Sequence, residues 1–448
     1  MEAQAAGSIG RVSWDVVISG GGFGGLYAAR KLERTMPRQS ARITLVNDVN
    51  FLLYTPFLPE AAAGMLEPRH VVTPLRDVLD QTHLRLGVTV ARDPARRVVT
   101  LLDPEGSERE LRYDRLIVAH GSVSRVLPIP GLGEHAIGFK SLADAIWLRN
   151  HVIQCMEEAD TCDDPEIRQE LLTFVFVGGG YAGLEALAEL QDFAAEAIEA
   201  YPRASLQGMR WILVEALDRV LPEIDPELAD YALRQLRGRG IDIRLVTTLE
   251  DVTANTARIS TGETVPTRTV VWTAGVVPHP SSRNLGLPLD ERGRILVDDH
   301  LCVQGEDDVW AVGDAAAVPD PAHPGRPCPP TSQHAIRQGR TAGRNVAASL
   351  GVGAPSPFTY KTLGAFVNLG RYKAVARVGP LTFRGFPAWW LARTYHVSQI
   401  PGTARKVRAV MDWTVGLPFK RDIAEVGSIG HPRPLREDAY ERSGTHRS

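Results

Sequence analysis

The fold is decided by two similar stretches of sequence, DVVISGGGFGG at residues 15–25 and TFVFVGGGYAG at residues 173–183. Each stretch is a short apolar run, followed by a cluster of glycines and then by a helical pattern. A second apolar strand follows each of them, ITLVND at residues 43–48 and WILVEA at residues 211–216. This repetition predicts an internal duplication of a β-α-β unit that binds a dinucleotide.

The glycine spacing in both stretches is Gly-x-Gly-x-x-Gly. The first glycine permits a tight turn, the second lets the backbone approach a diphosphate, and the third lets the helix pack close to the sheet. The diphosphate is then expected at the helix N-terminus, where the helix dipole favours anions. The two sets of glycines are Gly20, Gly22 and Gly25, and Gly178, Gly180 and Gly183.

The end of the second strand in each copy predicts how a ribose is bound. Glu215 ends the strand of the second copy, and a carboxylate there accepts hydrogen bonds from both ribose hydroxyls. It would repel a 2′-phosphate and so favours NADH, although Arg219 nearby leaves NADPH open. The strand of the first copy ends Asn47-Asp48, which leaves the register of its ribose contact open.

Two dinucleotide-binding units in one chain imply two dinucleotides, and FAD with NADH is the economical pair. The segment VWAVGDAAA at residues 309–317 supports FAD, because an Asp that follows a Gly at a strand end can hold a ribityl hydroxyl. Gly313 and Asp314 are therefore assigned to the flavin site. Gly121 and Gly275, each in a turn after an apolar strand, complete the predicted cofactor contacts.

Composition excludes several classes of protein. The chain has 448 residues, which predicts two or three domains, and 44% of them are hydrophobic, as in a soluble globular protein. The net charge of −3 excludes a generic nucleic-acid binder, and no apolar run is long enough for a spanning helix. The first eleven residues lack the apolar segment of a signal peptide and are expected to form a loose tail. The four cysteines are expected to be free thiols, and no metal site is predicted.

Six motifs occur in the order found in type II NADH dehydrogenases, which are single-subunit, non-pumping NADH:quinone oxidoreductases: GGGFGGLYAARKL, NFLLYTPFLPEAAAG, GGGYAGLEALAEL, VWTAGVVPHP, VWAVGDAAA and SQHAIRQG. The resemblance covers residues 14–425, roughly. It implies a FAD-dependent enzyme that takes a hydride from NADH and passes two electrons to a membrane quinone. The glycine motifs are shared with a wider superfamily, whereas the SQHA segment and the basic C-terminal end are more specific.

The resemblance implies catalytic roles for Glu185 and Gln333. Glu185 stands where the family has an acid near the nicotinamide and quinone sites, with an implied role in proton delivery or quinone positioning. Gln333 matches the first Gln of the family's quinone motif A-Q-x-A-x-Q, but Arg337 replaces the second and Gln338 lies one position late. The family loop that runs beside the isoalloxazine is matched by Tyr54, Thr55 and Pro56.

Several alternatives stay open. No cysteine lies between Gly20 and Pro68, which excludes disulfide reductase chemistry at the flavin, whereas Cys328 near the quinone motif leaves a sulfide:quinone oxidoreductase open. The same fold also suits a soluble NAD(P)H:acceptor reductase or a non-catalytic flavoprotein that senses NADH. His334 is open between a proton donor and a structural residue, and His120 has no role that the sequence explains.

The C-terminal region is strongly basic. Residues 361–436 contain 13 Lys and Arg against three Asp and Glu, a net charge of +10. Two short helices are expected here, and their mixture of Trp, Val and Leu with Arg and Lys predicts a segment that lies on anionic lipid. Trp389, Trp390 and Trp413 are expected to insert into the bilayer surface. The resemblance implies a peripheral protein on the cytoplasmic side of the cell membrane.

These patterns together predict an α/β fold with two Rossmann-like, doubly wound dinucleotide-binding domains plus a basic, membrane-facing C-terminal segment. The FAD-binding domain is expected at residues 12–130 and 290–358, with the NADH-binding domain inserted at residues 131–289. A membrane-association region at 359–432 and a disordered tail at 433–448 follow. The expected partners are a membrane quinone and an anionic membrane surface, with no nucleic acid, and a homodimer stays open.

Overall fold

The computed structural model describes residues 14–360, 364–416 and 418–425. The predicted loose N-terminal tail, the domain start at residue 12 and the disordered tail at 433–448 lie outside the described residues. None of the helices in the described ranges combines the length and the apolar character needed to cross a lipid bilayer.

The first parallel sheet is built from two separate stretches of the chain. Its central strand, Trp14–Ser19, pairs with Ala41–Asn47 on one side and with Arg115–Val118 on the other. His83–Leu86 forms one edge, and Val309–Ala311, from much later in the chain, forms the other. The first glycine motif therefore follows the middle strand of this sheet.

The second parallel sheet repeats this arrangement. Thr173–Val177 is central and is buried along its whole length, between Arg210–Val214 and Thr269–Trp272. The edges are Asp242–Arg244 and Ala136–Gly138. The two parallel sheets confirm the predicted α/β fold, because all-parallel strands with apolar faces need helices on both sides. The division into domains at residues 130 and 289 stays a prediction.

Antiparallel strands and helices surround the two sheets. The three-stranded antiparallel sheets are Val88–Asp93 with Val98–Leu102 and Glu108–Arg112, Leu249–Val252 with Thr256–Ile259 and Thr264–Pro266, and Gly364–Asn368 with Ala374–Val378 and Leu381–Arg384. Two antiparallel pairs are Phe51–Leu53 with Val72–Pro74 and Ser122–Ser124 with Val276–Pro278, and Ile295–Leu296 pairs in parallel with Ala316–Ala317. The α-helices are Phe23–Thr35, Leu58–Ala62, Leu132–His135, Leu142–Thr161, Pro165–Leu171, Tyr181–Ala197, Pro202–Gln207, Pro226–Arg237, Ser332–Ser349, Phe386–Gln399 and Thr403–Gly416.

The helix that carries the SQHA segment, Ser332–Ser349, crosses helix Phe23–Thr35 at very short range. A Cβ atom added to Gly339 would lie 2.1 Å from the carbonyl oxygen of Gly24. Such an approach requires glycine at the contact, since any side chain would separate the helices. The crossing fixes the SQHA segment against the first glycine motif.

Several cations in the described part of the C-terminal region form ion pairs with acids from earlier in the chain. Arg421 contacts Asp192 at 2.7 Å and Glu196 at 3.0 Å, and Arg377 contacts Asp225 at 2.9 Å. Two further pairs of the same kind are Arg384 with Glu227 and Lys420 with Glu199. Part of the positive charge in the described C-terminal residues is therefore paired with acids on or beside the helices of the second sheet, whereas binding to an anionic membrane surface stays a prediction.

Of the three tryptophans that were predicted to insert into a bilayer, Trp389 is buried and Trp413 is half-buried. Trp389 is only 6% exposed, and the indole nitrogen of Trp413 donates a hydrogen bond to Glu60 Oε2 at 2.7 Å. The guanidinium of Arg393 lies between their rings, with its Cζ 4.0 Å and 4.6 Å from the two ring centroids. Trp390 is 55% exposed, so it is the member of the three that faces solvent.

Arg393 is the centre of a buried ionic cluster that joins three parts of the chain. Its Nη2 lies 3.1 Å from Glu60 Oε2, and the Glu60 side chain is fully buried. Burial raises the pKa of Glu60, while Arg393 and the Trp413 hydrogen bond lower it. Glu189, also fully buried, interacts electrostatically with both Glu60 and Arg393. The cluster thus holds the C-terminal helices against helices of both halves of the molecule.

Replacing Arg393 tests whether this cluster holds the molecule together. We expect Arg393→Met to lower the free energy of unfolding by about 3–5 kcal/mol, because it leaves buried carboxyl groups without their cation. Glu199→Gln removes instead an exposed carboxylate that pairs with Lys420, so stability should change little. Urea unfolding of the holoprotein, followed by far-UV circular dichroism, measures both variants. Equal stability of the two would show that Arg393 does not hold this junction.

Candidate functional site

The first glycine motif has one open position between two closely packed ones. Gly20 has a φ of +104°, and a Cβ atom there would lie 2.2 Å from the Ala119 carbonyl oxygen. A Cβ atom on Gly25 would lie 1.7 Å from the Gly20 oxygen, whereas Gly22 has no atom within 4 Å of its added Cβ. Helix Phe23–Thr35 also begins without a side-chain cap. The open space and the uncapped N–H groups fit a dinucleotide diphosphate, as FAD requires.

The second glycine motif repeats this geometry. Gly178 has a φ of +111°, and a Cβ atom on Gly183 would lie 2.0 Å from the Gly178 oxygen. Gly180 again faces open space, and helix Tyr181–Ala197 has no side-chain cap at its N-terminus. The structure therefore provides a second cradle of the same shape, which fits the diphosphate of NADH.

Asn47 and Glu215 occupy equivalent places in the two copies. Asn47 Oδ1 accepts a hydrogen bond from the N–H of Gly21 at 2.6 Å. Glu215 Oε2 accepts one from the N–H of Gly179 at 2.5 Å. Each side chain thus closes the middle of its glycine motif at the end of the neighbouring strand, where a ribose is expected.

Asp48 and Arg219, the two residues that left the ribose contacts open, point elsewhere. Asp48 is exposed, and its carboxylate accepts from the N–H of Val49 at 3.0 Å. Arg219 Nη2 donates to the carbonyl oxygens of Leu221 and Ile224, at 3.3 Å and 2.8 Å. These contacts favour Asn47 over Asp48 as the residue that binds the ribose. The Arg219 guanidinium is used in hydrogen bonds to the backbone of residues 221–224.

The Gly313-Asp314 turn lies against a cavity of about 560 Å³. The N–H of Gly313 donates to Gln338 Oε1 at 2.8 Å, so Gln338, the glutamine one position late in the motif, anchors this turn. Asp314 Oδ2 accepts from the Ser122 hydroxyl at 2.5 Å, which in turn accepts from Lys140 Nζ at 3.0 Å. Asp314 is thereby held at the cavity wall, in position to meet a polar ligand group.

Gly121 and Gly275 lie in the connection between the two sheets. Their φ angles are +69° and +93°, and an added Cβ atom on either would have no neighbour within 4 Å. Each directly precedes one strand of the antiparallel pair formed by Ser122–Ser124 and Val276–Pro278. Both turns therefore present bare backbone to open space, as expected for contacts with a cofactor.

The loop predicted to run beside the isoalloxazine is divided between surface and core. Thr55 is exposed and Pro56 half-buried, at the start of a short 3-10 helix, Thr55–Phe57. Tyr54 is buried, and its hydroxyl lies 3.1 Å from His396 Nδ1. The loop thus meets the C-terminal region through Tyr54.

An aromatic wall surrounds this contact, and it consists of Phe23, Tyr54, Phe366, Tyr395 and His396. The Phe366 and Tyr395 rings are stacked with centroids 4.9 Å apart, and Phe23 meets Tyr54 edge-on at 5.8 Å. Burial lowers the pKa of His396 to about 4, so its imidazole is neutral at pH 7. Phe366, Tyr395 and His396 lie in the C-terminal region outside any recognisable motif, so no sequence signal marks them as part of this site.

Gln333 is held by two contacts close to this wall. Tyr360 donates its hydroxyl to Gln333 Oε1 at 2.6 Å, and Gln333 Nε2 donates to the Gly364 carbonyl oxygen at 3.4 Å. The Arg337 guanidinium stacks over the Tyr360 ring at 4.2 Å. Arg337 occupies the position of the second glutamine in the family motif. It packs on Tyr360, and Tyr360 in turn orients Gln333, the first glutamine of the motif.

Glu185 is half-buried, and its carboxyl group is poorly solvated. Burial raises its pKa to about 8, the hydrogen bond from the Asn368 N–H lowers it, and Glu189 and Glu60 raise it further. That hydrogen bond reaches Glu185 Oε1 at 2.7 Å. Neither carboxylate oxygen of Glu189 has a hydrogen-bond partner within the described ranges, and burial raises the pKa of this group to about 8 as well.

Glu185 and Gln333 are attached to opposite ends of one strand, Gly364–Asn368. At a rise of about 3.3 Å per residue, these ends lie about 13 Å apart. The structure therefore places the two predicted catalytic residues along a common element but not in contact.

His120 links the end of the first sheet to a later turn. Its Nε2 lies 2.6 Å from the Ser19 hydroxyl, and its Nδ1 lies 3.0 Å from the hydroxyls of both Ser281 and Ser282. Burial lowers its pKa to about 4, with the neighbouring His279 adding to this effect. His120 is thus a neutral, half-buried residue whose hydrogen bonds connect the two stretches of chain.

His334 and Cys328 have structural surroundings. His334 is buried, with its Nδ1 2.7 Å from the Thr331 hydroxyl at the start of the helix, and burial lowers its pKa. Burial raises the pKa of Cys328 to about 12, so its thiol is not a nucleophilic thiolate at neutral pH. Among the described residues, the potential metal ligands that lie together are Asp298, Asp299 and His300.

Comparison with known proteins identifies the family. Residues 14–339 match the family model described as pyridine nucleotide-disulphide oxidoreductase. The type II NADH:quinone oxidoreductase Ndh of Mycobacterium tuberculosis is 32% identical over 415 residues, covering 89% of this chain and 87% of the relative. The chain belongs to the type II NADH:quinone oxidoreductase family. A probable NADH dehydrogenase of Dictyostelium discoideum, 30% identical over 391 residues and 85% of each chain, agrees with this membership.

The fold of a solved structure agrees with the family. NDH2 of Plasmodium falciparum, solved in complex with NADH, has a TM-score of 0.85 with 15% identity, covering 92% of this chain and 100% of that one. The relatives confirm the resemblance to type II NADH:quinone oxidoreductases noted in the sequence, and this structure shows the same fold. The broader family description names disulphide chemistry, which needs a pair of cysteines close to the flavin. Helix Phe23–Thr35, which follows the first glycine motif, contains no cysteine.

The raised pKa values predict how stability depends on pH. Glu185 and Glu189 ionise near pH 8 in the folded protein and near 4.5 when unfolded. The folded state therefore binds more protons between these values, and the free energy of unfolding falls as the pH rises through this window. Each pKa unit of difference corresponds to about 1.4 kcal/mol.

We expect Glu185→Gln and Glu189→Gln each to flatten this fall, because neither variant can ionise. Urea unfolding between pH 5 and pH 8 measures the slope, with the exposed Glu105→Gln as a matched control. Parallel slopes for all three variants and the wild type would contradict the assignment of raised pKa values to these buried groups.

Proposed function

We propose that this chain oxidises NADH and reduces a membrane quinone through bound FAD, without pumping protons. The observation that carries the proposal is the pair of open glycine cradles, at Gly22 and Gly180, in one chain with a glutamine oriented beside an aromatic wall. Bound FAD supplies the redox chemistry, taking a hydride from NADH and passing two electrons to the quinone. The membership in the type II family supports the same reaction.

The cofactor-binding residues follow from the two cradles. The residues that we assign to FAD are Gly20, Gly22, Gly25, Asn47, Tyr54, Thr55, Pro56, Gly121, Gly313 and Asp314. The residues that we assign to NADH are Gly178, Gly180, Gly183, Glu215 and Gly275. The backbone N–H groups at the helix N-termini bind the diphosphates, while Asn47, Glu215 and Asp314 position the sugars.

The acceptor side combines apolar walls with few polar groups, as small-molecule sites do. The aromatic wall excludes water, and the Gln333 amide, oriented by Tyr360, is placed to hydrogen-bond a quinone oxygen. Reduction of a quinone to a quinol consumes two protons. Glu185, with a pKa of about 8, holds a proton at pH 7 and can release it, and Asn368 connects it to the buried Glu60.

The other function classes receive less support. A soluble NAD(P)H:acceptor reductase and a non-catalytic NADH sensor would share the two cradles. Relatives that match most of both chains include an NADH:quinone oxidoreductase and an NADH dehydrogenase. The soluble reductase and the non-catalytic sensor are therefore not favoured.

We further propose that the second C-terminal helix, Thr403–Gly416, lies on a membrane surface, which makes the protein peripheral on the cytoplasmic side. Its exposed apolar residues recur at spacings of three and four, as on one helix face. This apolar strip consists of Val407, Val410, Met411 and Val415, which are 47–59% exposed. Lys406 and Arg408 flank the strip on its two sides, an arrangement typical of an interfacial helix.

Nucleotide preference tests the role of Glu215. We expect Glu215→Ala to lower kcat/KM for NADH by roughly 10- to 100-fold, since losing charge-assisted hydrogen bonds costs about 1.5–3 kcal/mol. We expect kcat/KM for NADPH to fall less, so the ratio of the two kcat/KM values, NADH over NADPH, should decrease. Asp218→Ala, which removes an exposed carboxylate three residues away, should leave both values unchanged. A wild-type enzyme that prefers NADPH would reject the assignment.

The acceptor half-reaction tests the role of Gln333. Stopped-flow mixing separates flavin reduction by NADH from flavin reoxidation by a quinone analogue. We expect Gln333→Ala to slow reoxidation about tenfold, the equivalent of one hydrogen bond, while reduction is unchanged. Tyr360→Phe keeps the ring beneath Arg337 and removes the hydroxyl, so it should slow reoxidation less. Equal slowing of both half-reactions would show that Gln333 is structural.

A further inference from the structure

We propose that a basic pocket beside the apolar strip binds the phosphate group of an anionic phospholipid. The proposal rests on the membrane association proposed above and adds a specific headgroup site to it. The basic pocket is a cavity of about 340 Å³. Its cationic residues are Arg30, Lys31, Arg34, Arg340 and Lys406.

The five cations come from three separate helices. Helix Phe23–Thr35 supplies three of them, helix Ser332–Ser349 supplies Arg340, and helix Thr403–Gly416 supplies Lys406. The turn between the two C-terminal helices completes the pocket, with Ile400 almost fully buried. The fold therefore assembles this charge from distant parts of the sequence.

The pocket has a defined floor. Tyr27 is 7% exposed, and its hydroxyl donates to the Gln399 carbonyl oxygen at 3.2 Å. The Arg340 guanidinium lies over the Tyr27 ring at 4.9 Å and that of Arg30 at 5.8 Å. Lys406 Nζ donates to the Ser398 carbonyl oxygen at 2.7 Å, which orients the ammonium group at the pocket edge.

The residues that line the pocket include no Asp or Glu. Within the described ranges, none of the five cations lies within ion-pair distance of a carboxylate, whereas Arg421, Arg377 and Arg393 all do. A cleft lined by one sign of charge focuses its field and attracts a counter-ion. The helix dipole stabilises a cation at Arg34, because this residue lies in the last turn of its helix. It does not account for Arg340 and Lys406, which come from other helices.

Arginine-rich surroundings favour a phosphate over other anions, because a guanidinium offers paired N–H donors that match phosphate oxygens. The position of the pocket favours a lipid as the source. Lys406 lies at the edge of the apolar strip on the same helix, so a phosphate held in the pocket would carry its acyl chains beside the strip. A free phosphate would satisfy the cations and leave the strip in water.

Vesicle binding by the full-length holoprotein tests the proposal. One set of phosphatidylcholine vesicles contains phosphatidylglycerol, and a second contains cholesteryl hemisuccinate, a carboxylate, adjusted to the same zeta potential. We expect the wild type to bind the phosphatidylglycerol vesicles about tenfold more tightly than the carboxylate vesicles. The double variant Arg30→Gln/Arg34→Gln should lose this preference while flavin reduction by NADH is unchanged.

The matched control is Arg112→Gln/Arg326→Gln, which removes two exposed cations from a strand and a loop outside the pocket. It should keep the preference. Equal behaviour of the two double variants, or equal wild-type binding to both kinds of vesicle, would overturn the pocket and leave diffuse surface charge. Thermal stabilisation by inorganic phosphate alone, lost in Arg30→Gln/Arg34→Gln, would make this a site for a soluble anion and overturn the lipid assignment.

The apolar strip is tested separately by Val407→Ser/Met411→Ser. This variant should bind both kinds of vesicle more weakly while it keeps the preference for phosphatidylglycerol. Wild-type binding by this variant would reject the strip as the membrane contact, whatever the pocket does. Even then, loss of the preference for phosphatidylglycerol vesicles in the Arg30→Gln/Arg34→Gln variant would support the basic pocket. The proposals for the apolar strip and for the basic pocket can therefore fail independently.

Discussion

The buried guanidinium of Arg393 determines where the C-terminal helices sit. It lies between two tryptophan rings and contacts Glu60, a residue with no solvent exposure. A carboxylate in that position without a cation would be strongly unfavourable, so helix Phe386–Gln399 can dock in only one register. Tyr395 and His396 follow on the same helix and thereby reach Phe366 and Tyr54. The aromatic wall thus depends on an ion pair about one helical turn away.

The same cluster has more carboxyl groups than cations. Arg393 faces Glu60 and Glu189, and Glu185 lies one turn before Glu189 on its helix. One guanidinium compensates one carboxylate, so burial keeps protons on the others, as their raised pKa values show. An excess of buried acids is costly for stability at alkaline pH. It also leaves bound protons close to the acceptor side, where quinone reduction needs them.

Local patterns predicted the parts of the molecule that depend on backbone geometry. Gly20 and Gly25 can only be glycine because their neighbours lie within 2.2 Å of an added Cβ atom, and such constraints leave a direct trace in the sequence. The choice between Asn47 and Asp48 required the strand register, which a single sequence does not contain. Asn47 could therefore not be preferred to Asp48 before the structure was known.

The contacts of the C-terminal region could not be predicted for a different reason. The charge and the aromatic content of a segment do not show which distant residues its side chains contact. Trp389 and Trp413 enclose a cation in the interior, and Arg421 pairs with acids of another helix. Arg30 and Arg340 form no ion pair within the described ranges, and they lie on helices whose sequence motifs indicated FAD binding and quinone binding instead. Long-range pairing, which composition cannot show, decides both outcomes.

Helix Thr403–Gly416 connects the proposed membrane surface to the acceptor side over a short distance. Its inner face places the Trp413 indole on Glu60, while Val410 and Met411, about one turn earlier, are exposed on its outer face. An α-helix with its side chains is about 10–12 Å across. With the outer face on lipid, the buried acids lie only about that far from the bilayer surface. A quinone headgroup could then approach the aromatic wall while its apolar tail stays among the lipids, which explains how an enzyme without a spanning helix in its described ranges can use a membrane-bound acceptor.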